Sequence, residues 1–167
     1  MKVLRRVVVL CSLLLLLCCP IVSAQSNDAH AVRKQVLALL TKYGDEKGVL
    51  AMECDGGVKL QTVKMMLRKE FGSEFVDAVR AFAIMLYQDA SSECKGRIVG
   101  DIDLITKRLQ EIDVATRMKK GDEARGYVRV SESGKKITNL VIVVAAPKPK
   151  LIYIEGEFEA DGTYAVK

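Results

Sequence analysis

After Asp113 the hydrophobic period of this chain shortens, and that change constrains the fold more than any other feature. Before it, apolar residues recur in steps of three and four, the period of a helix with one buried face. Val32, Val36, Leu40 and Tyr43 form one such stripe, with Leu37 and Leu39 beside it. Leu60, Val63, Met66 and Leu67 form a second, and Ile98, Ile102, Ile105, Leu109 and Ile112 a third. Beyond Asp113 the apolar residues fall into short runs: Val114–Lys119, Gly126–Val130, Ile137–Ala145 and Leu151–Ala160. The connections carry turn chemistry: Lys120-Gly121-Asp122, Glu132-Ser133-Gly134-Lys135, and Ala146-Pro147-Lys148-Pro149-Lys150. Strands joined by connections this short pair antiparallel, so the C-terminal half is expected to be a four-stranded meander.

Two further strands are expected in the helical half. Val49–Cys54 follows the helix stop Gly44-Asp45-Glu46-Lys47-Gly48 and ends at the turn Asp55-Gly56-Gly57. Ala81–Tyr87 is apolar on both faces, as in a buried central strand, and a short buried helix is the other reading. Asn27 or Asp28 is placed to cap the first helix, and Ser73 a brief helical turn through Val79. Gln88–Gly96 reads as a polar loop and Asp161–Lys167 as a loose tail. In the last strand Ile152, Ile154, Gly156 and Phe158 face one way and Glu155, Glu157 and Glu159 the other, which suggests a place near an edge. Gly156 marks a bulge or a close packing contact. The order α-β-α-β-α-β-β-β-β defines an α+β fold in two layers, with helices on one face of a mixed or antiparallel sheet. With no Trp and few aromatics, its core is expected to be aliphatic.

The first residues read as an address. Lys2, Arg5 and Arg6 precede an uncharged apolar stretch, Val7–Cys19, and Val22-Ser23-Ala24 offers the small side chains that a signal peptidase reads. Residues 1–24 are therefore expected to be a signal peptide cleaved between Ala24 and Gln25, leaving one domain over residues 25–167. The apolar stretch falls short of the roughly 20 residues that span a bilayer. Cys18 and Cys19 close a leucine run, and lipidation at either is the rival reading, although Leu17 and Cys18 stand where a lipoprotein box has a small residue. Of the 26 basic residues three lie in this leader, so 23 face 21 acidic ones beyond it, a net charge of +2. That balance argues against a nucleic-acid partner, and a membrane is expected to be one only through lipidation.

Cys54 and Cys94 are the cysteines that remain beyond the leader. A disulfide between them and two small buried hydrophobes are both open readings. With a single histidine they cannot complete a four-ligand zinc site. That histidine, His30, lies near the expected mature terminus, where catalytic geometry is hard to hold. Glu93, Asp101 and Asp103 could serve acid–base work or hold calcium, but two residues apart on a helix Asp101 and Asp103 point different ways. Gly56-Gly57-Val58-Lys59 lacks the glycine pattern of a phosphate loop and reads as a tight turn. Arg117, Lys119, Lys120, Arg125 and Arg129 gather on the first hairpin of the meander, as protection of a strand edge or as an attraction for an anion.

The layout resembles a family of small exported proteins of Gram-negative bacteria, domain of unknown function 4252. The likeness lies in Lys42-Tyr43-Gly44-Asp45-Glu46-Lys47-Gly48-Val49 leading into the first strand, and in the apolar strand Ala81–Tyr87 before a polar loop. It lies also in Gly126-Tyr127-Val128-Arg129-Val130, a turn, and Ile137-Thr138-Asn139-Leu140-Val141-Ile142-Val143-Val144. The resemblance implies a place in the periplasm or cell envelope and brings no catalytic residue, cofactor or metal. The residues point to a binding or interaction domain with an envelope protein or ligand as partner. A hydrolase with a carboxylate site and a lipid-anchored structural protein are the alternatives.

Overall fold

A computed structural model describes residues 24–71, 73–114, 121–131 and 133–159. The leader before Ala24, with Cys18 and Cys19, lies outside them, as do the tail from 161 and most of the expected strand Val114–Lys119.

The elements run α1 (Ala24–Tyr43), β1 (Leu50–Cys54), α2 (Gly57–Phe71), α3 (Ser73–Ala78), β2 (Val79–Leu86), α4 (Ser92–Thr106), β3 (Gln110–Ile112), β4 (Glu123–Val130), β5 (Lys136–Ala146) and β6 (Lys150–Glu159). Among the described residues the strands form one six-stranded sheet in the order β1-β2-β6-β5-β4-β3, antiparallel at every pairing. The C-terminal meander is thus present, and the α+β class with it.

The sheet separates two apolar clusters. On one face α1 and α4 lay down Val32, Val36, Leu39, Leu40, Ile98 and Ile102 against Met85, Val141 and Leu151. On the other, Leu60 and Val63 of α2 join Phe82, Leu140, Ile142 and Ile154, and Phe75 of α3 stacks on Phe158 with ring centroids 4.4 Å apart. The expected two-layer arrangement, with the helices on one face, is corrected here: α1 and α4 cover one face and α2 and α3 the other, because Leu60, Val63 and Phe75 pack on the cluster of Phe82, Ile154 and Phe158. Strand alternation divides the side chains: in β6, Leu151 and Tyr153 go one way, Ile152 and Ile154 the other. Each fully buried Val, Leu or Ile contributes roughly 1.5–3 kcal/mol.

Several expectations need correction. The first helix begins at Ala24, so Asn27 and Asp28 fall within its opening residues instead of capping it. The polar loop Gln88–Gly96 is shorter, because Ser91 caps α4 by accepting the Cys94 N–H at 3.2 Å. Gly96 and Gly100 each cost the helix about 1 kcal/mol relative to alanine, and the buried stripe from Cys94 to Ile105 offsets this. The same helix stops at Thr106, whose hydroxyl bonds back to the Ile102 carbonyl at 3.1 Å. Ile112 therefore belongs to β3, the first strand of the meander, and is buried on the far face. Met66, expected on the inner stripe of α2, is 70% exposed. The last strand is interior, between β2 and β5, because a wet face says nothing about a strand's lateral neighbours.

The core is not wholly aliphatic either: Tyr43, Tyr87 and Tyr153 are among its largest fully buried side chains. The hydroxyls of Tyr43 and Tyr153 reach polar partners, which is what burial of a tyrosine requires.

Candidate binding site

The helices and sheet bring one polar constellation together that the sequence does not announce. Arg33 lies on α1 one helical turn after His30. Its guanidinium reaches Glu53 of β1 at 3.0 Å, Asp55 of the following turn at 3.1 Å and Glu155 of β6 at 3.7 Å. Three carboxylates, from β1, the turn after it and β6, thus converge on one cation although β2 lies between the two strands. The hydrogen bond that Arg33 donates to Glu53 comes first in holding the Arg33 proton more tightly than usual, against some opposition from burial.

Behind this cluster the polar chain runs into the core. The Tyr153 hydroxyl donates to Glu155 at 3.2 Å and accepts from the Asn139 side-chain amide at 2.8 Å. Asn139 is fully buried, and its own carbonyl accepts from the Thr138 hydroxyl at 3.2 Å. Burial, and then the Glu155 charge, raise the Tyr153 phenol above its ordinary range. Among the described residues no buried side-chain nitrogen or oxygen lacks a partner, so the relay is closed and not a set of open valences.

Beside the cluster lies a strand edge. β1 pairs only with β2 among the described residues. Leu50 is 60% and Met52 41% exposed on one of its faces, while Glu53 and Asp55 occupy the other. Val58, Met65 and Met66 of the adjoining α2 are exposed as well.

The other candidates are dispersed. Asp101 accepts from Lys42 at 2.7 Å and from the Tyr43 hydroxyl at 2.9 Å, a clasp between α1 and α4. That pairing, Lys42 foremost, holds its carboxyl below the usual range. Glu93 and Asp103 are exposed on α4 and do not join it, and His30 is exposed on α1. Gly56 and Gly57 form the entry to α2, with Gly57 at φ +61°. Of the basic group, Arg117, Lys119 and Lys120 lie outside the described residues; Arg125 and Arg129 are on β4, with Arg125 beside the Tyr127 hydroxyl.

Cys54 and Cys94 are both free and buried. Cys54 belongs to the cluster of one sheet face and Cys94 to that of the other. The disulfide left open by the sequence is not made. Ala24 and Gln25, the expected cleavage junction, are the first two residues of α1. No group of three or more metal-ligating side chains is assembled among the described residues, and no helix there is long and apolar enough to cross a membrane.

Sequence reasoning missed Arg33, Glu53 and the convergence of Asp55 with Glu155. Their meeting depends on the order β1-β2-β6, which sets Glu155 opposite Ala81 and Glu53 opposite Ala83. No local pattern encodes that order. Comparison with family models, with curated proteins and with solved structures found no match.

Proposed function

We propose that the chain is an exported domain of the periplasm or cell envelope that acts by binding a partner, without catalysis. The leader chemistry and the resemblance to domain of unknown function 4252 support the address. One observation carries the role: the carboxylates that do converge are engaged by Arg33 beside a strand edge bearing exposed Leu50 and Met52. Acid–base chemistry needs a carboxyl turned toward a substrate and a base within reach of its proton. Edge recognition needs a strand whose outer edge is without a neighbour, and β1, paired with β2 alone among the described residues, supplies one with apolar and charged side chains on alternate faces.

The test has two parts. In a Gram-negative host the envelope fraction is expected to yield a protein whose intact mass begins at Gln25. A lipid-bearing mass beginning at Cys18 or Cys19 would instead establish the anchored alternative. Immobilised protein is then expected to retain an envelope component that Leu50→Lys releases. Retention of nothing, together with turnover of an ester or glycoside substrate, would establish the hydrolase.

A further inference from the structure

An open sheet has two edges, and natural proteins guard them with lysine, proline, bulges or a covering element. The β3 edge is three residues long. The β1 edge is five, Leu-Ala-Met-Glu-Cys, with neither lysine nor proline. Its register with β2 runs unbroken from Leu50 opposite Leu86 to Cys54 opposite Phe82, so no bulge twists it away. Leu50 and Met52 stand exposed on one face, beside half-buried Leu86 and Ile84 in the neighbouring strand. On the other face a single guanidinium serves Glu53, Asp55 and Glu155, leaving carboxylate charge in excess around it. Side-chain exposure is 35% for Glu53 and 67% for Asp55, so both can be met by an incoming chain.

This charge pattern discriminates between occupants. A second copy laid antiparallel on the same edge, centred on Met52, would set its Glu53 beside Ala51 and its Asp55 beside Val49. The two Glu53 side chains would then be diagonal neighbours on one face with each Asp55 just beyond, so two acidic clusters are brought together and like charge opposes the pairing. A strand carrying basic residues on that face meets attraction instead, and apolar residues on its alternate face cover Leu50 and Met52.

We infer that β1 accepts, as an added strand, an extended segment of a partner protein in which apolar and basic residues alternate. The inference rests on the binding role proposed above and supplies the partner's chemistry.

The experiment uses the full chain recovered from an exporting host and a fluorescent peptide of alternating valine and lysine. A length of about seven residues spans a strand of this size. Anisotropy is expected to show saturable binding that weakens as salt is added. Replacing the lysines by glutamate, or the valines by serine, is expected to abolish it. Leu50→Lys, at a position exposed to solvent and outside the buried clusters, is expected to abolish it too, with the unfolding midpoint unchanged. Glu53→Gln with Asp55→Asn is expected to weaken it about fivefold, the scale of exposed ion pairs. Absence of binding by the valine–lysine peptide overturns the inference, as does equal binding of its glutamate counterpart. So does a dimer in sedimentation that Leu50→Lys dissolves, since the edge is then taken by a second copy. In these cases retention of an envelope component, the measure of the binding role itself, is read separately and can stand alone.

Discussion

Asn139 and Tyr153 show how one buried polar pair fixes a region of the sheet. The amide donates to the phenol at 2.8 Å from adjacent strands β5 and β6, and neither side chain has access to water that could replace the other. Asn139→Ala is expected to cost about 1–3 kcal/mol, the penalty for stripping a buried group of its partner. Tyr153→Phe should do the same from the other side. Because both changes remove one interaction, the double variant should lose less than the two single losses added together. Urea unfolding at neutral pH measures all three, and strict additivity would show that the pair is not coupled. Gly156 raises a different constraint at this scale. A Cβ there would stand 2.5 Å from the Ala78 carbonyl oxygen and equally close to the Phe158 ring. The backbone oxygen cannot swing aside, so Gly156→Ala is expected to destabilise by about 1–3 kcal/mol, as overpacking does. Both meanings offered by the sequence apply here, since the β2–β6 register also shifts between Val79 and Ala81, opposite Gly156 and Glu155.

At the scale of elements, α1 and α4 are tied by more than their apolar stripes. Lys42 and Tyr43, at the last turn of α1, both donate to Asp101 in α4. Arg97 bonds Glu46 at 3.1 Å and lies over the Tyr43 ring. Lys42, followed by Tyr43, lowers the Asp101 carboxyl in the folded state, so the clasp is fully present above the ordinary carboxylate range of about pH 4. Its contribution is lost as pH falls through the lowered folded value. Glu157, lowered first by Lys136 and then by Arg80, follows the same sign. Asp101→Asn is therefore expected to flatten the acid side of a plot of unfolding midpoint against pH. An acid limb as steep as the parent's would show that Asp101 does not contribute to it. The stripe that identifies α4 was legible in Ile98, Ile102 and Ile105. Its end was not, because Ile112 continues the spacing by coincidence while its backbone pairs with Gly126 of β4. Periodicity reads which face is buried, but it cannot see a neighbouring strand that claims the next residues.

Across the whole molecule the sheet is a wall, and most of what the sequence left open follows from that wall's strand order. The meander was readable because consecutive strands with short turns pair with one another. The insertion of β6 beside β2 was not, since it joins residues over sixty positions apart, and the Arg33 cluster depends on it. The wall also decides the fate of the thiols. Cys54 packs with Phe82 and Ile154 on one face, Cys94 with Ile98 and Tyr87 on the other. A disulfide requires Cα atoms within about 7 Å and Cβ vectors that converge, so these two cannot bridge while the sheet is intact. Both are at most 3% exposed, which shields them from reagents that need a thiolate at the surface. In an oxidising compartment the folded chain is thus expected to keep Cys54 and Cys94 reduced. Peptide mapping after treatment with an aromatic disulfide reagent should find neither labelled in buffer and both labelled in denaturant, and reduction should leave the native mass unchanged. Partial unfolding would first release whichever thiol lies under the less stable helices. Cys54 sits at the sheet's edge under α2, and Cys94 in the first turn of α4 between α1 and the sheet, so in low denaturant Cys54 should react first. Equal rates would mean that both faces open together, in a single cooperative step.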